Sequence, residues 1–353
     1  MVTLLAGDVG GTKTSLGLID SPNPNPAAGE PWHLLHQSRY MNREFSGLVP
    51  MVRKFLQEAE LQTAHPSQPQ KACFAVAGPV AENACKMTNL NWSLNGDHLQ
   101  KELSIPQVLL INDFAAVGYG VLGLKDSELT PLQIGKPRQG SPIAVIGAGT
   151  GLGEAFLIQQ DGNGYQVYPT EGSHADFAPR NREQVQLLEY LLEKLANNHI
   201  SVERVVSGSG IVAIYQFLRD SGLAAESEDI RKAVQIWTET PAGKREALED
   251  PAPLISKAAL DKCNPLCERT MQIFVEAYGA EAGNLALKIL PFGGLYLAGG
   301  ITGKIIDLIQ QGNFMSAFIS KGRMKPLLEQ IPVYIVLTDE VGLIGATVCV
   351  SQM

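Results

Sequence analysis

Leu4-Leu5-Ala6-Gly7-Asp8-Val9-Gly10-Gly11-Thr12-Lys13-Thr14-Ser15-Leu16-Gly17-Leu18-Ile19-Asp20 is the stretch that decides the fold class. Two apolar runs, Leu4–Asp8 and Ser15–Ile19, flank a glycine turn, the pattern of two strands rather than of a helix. Glycines and threonine hydroxyls in such a turn present backbone N–H groups to an anion with no Cβ in the way. No Gly-Lys-Ser/Thr opens a helix after the turn, so it is not a Walker loop. A strand follows it, so it is not the dinucleotide fingerprint either. An ordinary tight hairpin is the bland alternative, and the acid Asp8 at the strand end weighs against it.

The same pattern returns later in the chain. Ile143-Ala144-Val145-Ile146 is a strand, Gly147–Gly153 a glycine turn, and Ala155-Phe156-Leu157-Ile158 a second strand. Between the two hairpins, Leu48–Leu61 carries Val52, Phe55, Leu56 and Ala59 at helical spacing, whereas Ala72–Ala77 and Val108–Asn112 read as buried strands. Ser21–Pro31, rich in Pro, Asn and Gly, is a loop, the tip of a long hairpin. Helical stretches at Arg182–Asn197, Gly210–Asp220 and Asn264–Leu290 dominate the second half. Leu295–Ala298 and Val333–Val336 are its remaining strands, and Gly342–Val350 a closing helix. Two glycine hairpins, each opening an alternation of strand and helix, predict an internally duplicated α/β fold of two domains.

A length of 353 residues suits two domains, and 45% hydrophobic with 18% charged residues suits a globular interior. The net charge of -8 argues against a nucleic-acid partner, which requires a basic footprint. The 5 cysteines, Cys73, Cys85, Cys263, Cys267 and Cys349, form no disulfide framework, and no His or Cys cluster beside Cys263 and Cys267 completes a zinc site. No leader is evident and no apolar run is long enough to span a bilayer, so the expected location is the cytoplasm, with no membrane partner.

Three glycine sites follow apolar strands. Besides Gly7–Thr12, the turn Gly147-Ala148-Gly149-Thr150-Gly151-Leu152-Gly153 has more glycine than hairpin closure needs, and its natural use is to wrap a phosphate. Gly299-Gly300 would let a base or ribose lie against backbone. A nucleotide cleft between two α/β halves uses about that number of surfaces. The pair Asn112-Asp113 ends a buried strand, where open α/β sheets bind ligands. Either residue could cap the following helix, and Asp113 could equally accept the proton of an attacking hydroxyl. Glu171 and His174, in Glu171-Gly172-Ser173-His174-Ala175-Asp176-Phe177, can point into a cleft as polyol ligands. By itself Glu203 reads as a solvated carboxylate at a helix start.

Taken together, these pieces resemble the bacterial glucokinases of the hexokinase, actin and heat-shock-chaperone ATPase superfamily. The matching segments are Gly7–Thr12, Met87–Trp92, Ile111–Phe114, Gly147–Gly153, Glu171–Pro179, Glu203–Gly208 and Leu297–Ile301, in the family's order. The resemblance implies a duplicated actin/hexokinase-like (ribonuclease H-like) fold with an interdomain cleft. It also implies transfer of the γ-phosphoryl of ATP to the 6-hydroxyl of glucose. By it, Asp113 is the catalytic base, and Asn112, Glu171, His174 and Glu203 hold sugar hydroxyls, with Asn89 at the pocket edge. Gly7, Asp8, Val9, Gly10, Gly11 and Thr12, with Gly149, Thr150 and Gly151, are then phosphate loops, and Gly299 and Gly300 the adenosine surface. Asp8 would be an outer-sphere anchor for Mg2+. The Cys-rich zinc loop and DNA-binding extension of related repressors are not seen, which points to the zinc-free branch. Rival readings are a kinase for mannose or N-acetylmannosamine, a nucleotide-gated sugar sensor without turnover, and an actin-like or chaperone ATPase. The expected domains are 1–112 with 339–353, and 113–338. A homodimer is compatible with this reading.

Overall fold

The computed structural model describes residues 2–353 except 22–31, 64–67, 88–89, 161–163, 197, 223, 242–244 and 246–247. The loop expected at Ser21–Pro31 and the candidate Asn89 therefore lie outside the described residues, Ser21 apart. In chain order the first elements are β1 (Val2–Val9), β2 (Lys13–Ser21), β3 (His33–Met41), α1 (Leu48–Thr63) and β4 (Lys71–Val76). Next come β5 (Ala84–Lys86), β6 (Ser93–Asn95), α2 (Gly96–Leu103), β7 (Gln107–Asn112) and α3 (Asp113–Gly120). The second pattern begins with β8 (Leu129–Gln133), β9 (Ile143–Ala148), β10 (Leu152–Gln160) and β11 (Gly164–Thr170). Helices α4 (Arg182–Leu195), α5 (Gly208–Asp220), α6 (Glu228–Glu239), α7 (Pro251–Leu260) and α8 (Pro265–Ile289) follow. The chain continues through β12 (Gly294–Ala298), α9 (Ile306–Gln310), α10 (Asn313–Ile319), α11 (Lys325–Leu328), β13 (Val333–Val336) and α12 (Val341–Ser351).

The duplication is visible in the sheets. One has the order β3-β2-β1-β4-β7, the other β11-β10-β9-β12-β13 with β8 added at its edge. In the first, β1 runs antiparallel to β2, and parallel to β4, which is parallel to β7. In the second, β12 is parallel to both β9 and β13. Register then aligns the strand ends. Val9 pairs with Val76 and Val76 with Asn112. Likewise Ala298 pairs with Gly147, so the turns after β9 and β12 share one edge. This alignment is the usual reason that parallel α/β sheets collect ligands at their carboxyl ends.

By packing, the chain divides into two compact units, Met1–Leu129 with Ala155–Pro169 and Thr338–Met353, and Thr130–Glu154 with Thr170–Leu337. This division differs from the boundaries read off the sequence in taking α3 and the hairpin 155–169 into the first unit. The reason for α3 is steric. A Cβ on Gly345 of α12 would collide with the Ala116 carbonyl of α3, and one on Gly120 with the Val341 carbonyl, so glycine lets the two helices touch backbone to backbone. In the first sheet, β1 side chains alternate between two cores. Leu5 and Val9 join Met51, Val52 and Phe55 of α1, while Leu4 and Ala6 join Leu343, Ala346 and Val350 of α12. The second unit has one large core, centred on α8, with Phe274 and Tyr278 buried against α10. Among the described residues, no helix is long and apolar enough to cross a membrane.

Candidate active site

In the first unit, Asp8 lies on the β1 face that carries Leu4 and Ala6. Register sets it opposite Ser15, and Ser15 opposite Arg39, so the three form one cross-strand row. Arg39 donates from Nε to Ser15 Oγ at 3.1 Å, and its Nη2 lies 3.6 Å from Asp339 and 3.5 Å from Glu340. Burial, followed by the negative charge of Asp113, raises the Asp8 carboxyl to about 6, and the Arg39 guanidinium opposes the rise. Gly342, at the start of α12, lies so close that a Cβ there would come within 2.7 Å of Asp8 Oδ2. The turn itself is closed by Gly10 N–H donating to Lys13 O at 3.0 Å and by Asn42, which donates to Gly10 O at 2.9 Å.

Asn112 is the N-cap of α3. Its Oδ1 accepts from the N–H groups of Phe114 at 2.9 Å and Ala115 at 3.1 Å, and its Nδ2 donates to Gly78 O at 3.1 Å. Of the two capping candidates, the sheet thus uses Asn112. Asp113 occupies the first helical position, with Oδ1 accepting from Phe114 N–H at 2.8 Å. A carboxylate there gains from the helix dipole.

In the second unit, the turn after β9 folds on itself through Gly149 N–H to Gly151 O at 2.8 Å. Gly149 O accepts from Gly208 N–H at 2.9 Å, which brings the N-terminus of α5 to the turn. Gly299 has φ +90, and a Cβ would collide with the Ala148 backbone, so only glycine fits. Ile301 N–H then donates to Ala148 O at 3.1 Å. Beside this edge opens a cavity of about 390 Å³ lined by Gly149, Thr150, Gly208, Ile211, Asp250, Lys257, Gly300 and Ile301, among others. Its apolar wall includes Ala252, Pro253 and Leu260 of α7, a helix that the sequence reading did not find. The signal was there. Asp250 followed by Pro251 and Pro253 is a helix start, and Asp250 Oδ1 does accept from Ala252 N–H at 2.9 Å.

The segment holding Glu171 and His174 is stitched to the one holding Glu203. Phe177 N–H donates to Ile200 O at 2.8 Å, and Val202 N–H to Ala175 O at 2.9 Å. His174 Nε2 lies 3.8 Å from Glu171 Oε2, and both side chains are exposed, at 60% and 87%. Glu203 is tied elsewhere as well. Its Oε2 accepts from Leu152 N–H at 2.9 Å, and a Cβ on Gly151 would collide with the same carboxylate. The isolated reading of Glu203 as a solvated surface acid therefore gives way. It is a clamp on the glycine turn.

A glucokinase family model matches residues 5–353. The chain belongs to the glucokinase family. A glucokinase of Nostoc punctiforme is 56% identical over 353 residues, covering 100% of both chains. Among solved structures, a glucokinase from an Antarctic psychrotroph superposes with a TM-score of 0.82 at 28% identity, covering 100% of each chain. A ROK family glucokinase from Streptomyces griseus, solved with glucose and AMPPNP, shares the fold at a TM-score of 0.60 and 18% identity, covering 99% of this chain and 100% of that one. The duplicated sheets are those of the two-domain actin-like sugar kinases, and the glucokinase-family chain is a sugar kinase.

Proposed function

We propose that this chain transfers the γ-phosphoryl group of ATP to the 6-hydroxyl of D-glucose, giving glucose 6-phosphate and ADP, with Asp113 as general base. The observation that carries the reading lies in the second unit. A single strand-end edge offers glycine backbone at Gly149–Gly151 and Gly299-Gly300 beside an apolar cavity. Stitched close to it are the Glu171–His174 turn and the Glu203 carboxylate, acceptors of the kind that hold polyols. Walls such as Ile211, Ala252 and Pro253 suit the flat face of adenine. Polyphosphate has no base and would leave them without purpose.

In this reading, Asp113 accepts the proton of the 6-hydroxyl as the phosphoryl group is transferred, and Asn112 holds the helix start that carries Asp113. Asn112, Glu171, His174 and Glu203 orient the sugar, and Asn89 is assigned to its edge by resemblance alone. Gly7–Thr12 and Gly149–Gly151 hold phosphate oxygens, and Gly299-Gly300 the adenosine. Mg2+, when bound, neutralises the phosphate charge. Asp8 is assigned as its outer-sphere anchor, which fits a carboxyl that ionises above about 6. Among the described residues, no cluster of three His, Cys, Asp or Glu could hold a metal unaided. An ion carried on nucleotide phosphates and water requires none. The five cysteines are all free, as a reducing compartment leaves them, and this supports a cytoplasmic location.

The test is a coupled assay of glucose, mannose and N-acetylmannosamine, each with ATP and with polyphosphate. Glucose with ATP should give the highest kcat/KM. A larger value for either other sugar, or for polyphosphate, would replace the proposed substrate pair.

A further inference from the structure

Glu154 follows the glycine turn directly, yet nothing in the phosphate chemistry uses it. It sits in β10 at 2% exposure, and Oε1 is a buried side-chain oxygen with no hydrogen-bond partner, the only one of its kind among the described residues. An unpaired buried acceptor costs about 1–3 kcal/mol, more when charged, so such a group calls for an explanation.

Its surroundings supply one. The carboxyl occupies the space where Gly172 would carry a Cβ, so the floor under the Glu171–His174 turn is the Glu154 side chain. Thr170 completes the joint, donating from Oγ1 to Glu154 O at 3.3 Å and accepting from Gly172 N–H at 3.1 Å. Glu154 thereby links the turn after β9 with the turn that carries the candidate sugar ligands.

We propose that Glu154 is a positioning residue that holds the Glu171–His174 turn in its sugar-binding form while its carboxyl is neutral, and releases the turn on ionisation. The inference rests on the reading of that turn as the sugar site. Neutral, the carboxyl packs beneath Gly172 with one oxygen unpaired at modest cost. Ionised, it is a desolvated charge facing another carboxylate. The groups around it are few. From α8 come Glu281, at 5% exposure, Lys288, and the buried Tyr278 hydroxyl, while β9 carries no titratable side chain. Glu281 accepts from Asn284 Nδ2 at 2.9 Å, and Asn284 Oδ1 accepts from Lys321 Nζ, so the nearby cation is engaged with Asn284 and with Ala280 O. Burial, then Glu281, raise the Glu154 carboxyl to about 7, and Lys288 opposes them. The transition therefore falls near neutral pH, and sugar binding above it must draw a proton onto Glu154.

Calorimetry of glucose binding to the whole protein, without nucleotide, in buffers of different ionisation heat reads that proton directly. Between pH 7 and 8, the wild type should take up a fraction of a proton per glucose. Its glucose KM should rise about threefold to tenfold from pH 6 to pH 8 while the ATP KM stays flat. Glu154→Gln, a neutral isostere, should bind glucose with no proton uptake and a flat pH course. Glu281→Gln leaves Glu154 in place and removes its repulsive neighbour, so the wild-type course should shift to lower pH. Unchanged uptake in Glu154→Gln, or an unshifted course in Glu281→Gln should the first variant not fold, overturns the inference alone. A wild type that binds no glucose at any pH overturns the reading of the sugar site and the inference with it.

Discussion

Replacing Glu203 with Ala should damage the use of both substrates. One carboxylate is assigned to a sugar hydroxyl, and the same carboxylate accepts from Leu152 N–H at 2.9 Å within the glycine turn. A hydrogen bond to a charged acceptor contributes about 1.5–3 kcal/mol, and Leu152 is only 4% exposed, so its N–H would find little water in exchange. Taking about 2 kcal/mol, the turn's geometry should weaken about thirtyfold, at 1.36 kcal/mol per factor of ten. The kcat/KM for ATP at saturating glucose should fall by that order, alongside a loss in glucose kcat/KM of at least tenfold. Glu203→Gln keeps a neutral acceptor for Leu152 and should restore most of the ATP constant while the glucose defect persists. Initial rates with both substrates varied separate the two effects. If Glu203→Ala raised the glucose KM more than tenfold and left kcat/KM for ATP within twofold, the clamp on the glycine turn would carry no functional weight.

Asp113→Asn should keep the fold and glucose binding but lower kcat by about 10²–10⁴-fold, the usual contribution of a positioned base; near-normal turnover would remove Asp113 from that role. Glu171→Gln and His174→Ala should each raise the glucose KM, by more than about tenfold where a polar ligand is left unpaired, with a smaller effect on ATP. A larger change in the ATP constant would mean that the two sites are interchanged. Glu154→Gln should also alter stability with pH. With the carboxyl raised from 4.5 to about 7, the native state holds the extra proton between those values, so wild-type stability falls as pH rises through that window. The variant lacks this slope and should gain about 3 kcal/mol on the wild type between pH 4.5 and pH 8 in urea titrations. Parallel pH courses would show that Glu154 titrates as an ordinary carboxylate.

The parts of the fold that the sequence revealed are those where pattern and packing agree. The hairpins at Gly7–Thr12 and Gly147–Gly153 are bounded by largely apolar strands. Helices α1 and α5 carry apolar residues at helical spacing, α8 is long and opens at Asn264-Pro265, and α12 is almost wholly apolar. What escaped was mostly amphipathic or short. In β3, His33–Met41, most side chains are half-buried or exposed, so no clean alternation marks it as a strand. Residues of α7 and α9 to α11 are buried through contacts with α8, and α6 packs its Ile230 and Val234 face toward α7, partners that local spacing does not name. Within the site, the glycine turns were legible because glycine at a strand end has few other uses. Glu154 was not, because a Glu in a strand looks solvated until Gly172 and Glu281 are seen around it. Glu203 was misread in isolation for the same reason: its partner Leu152 is distant in sequence.

The close contact between α3 and α12 has a consequence for how the protein is made. Asp113 leaves the ribosome long before Val341–Ser351, yet α3 rests on Gly345 and has no comparable backbone contact until α12 exists. The strands β1, β4 and β7 can assemble early, but one face of their sheet, with Leu4, Ala6 and Ala75, waits for Leu343 and Ala346. A nascent chain therefore carries an exposed apolar face until α12 has been made. It acquires a fixed candidate base only when α12 docks, so a chain that stops short of α12 should be a substrate for chaperones and proteases and not a weak enzyme.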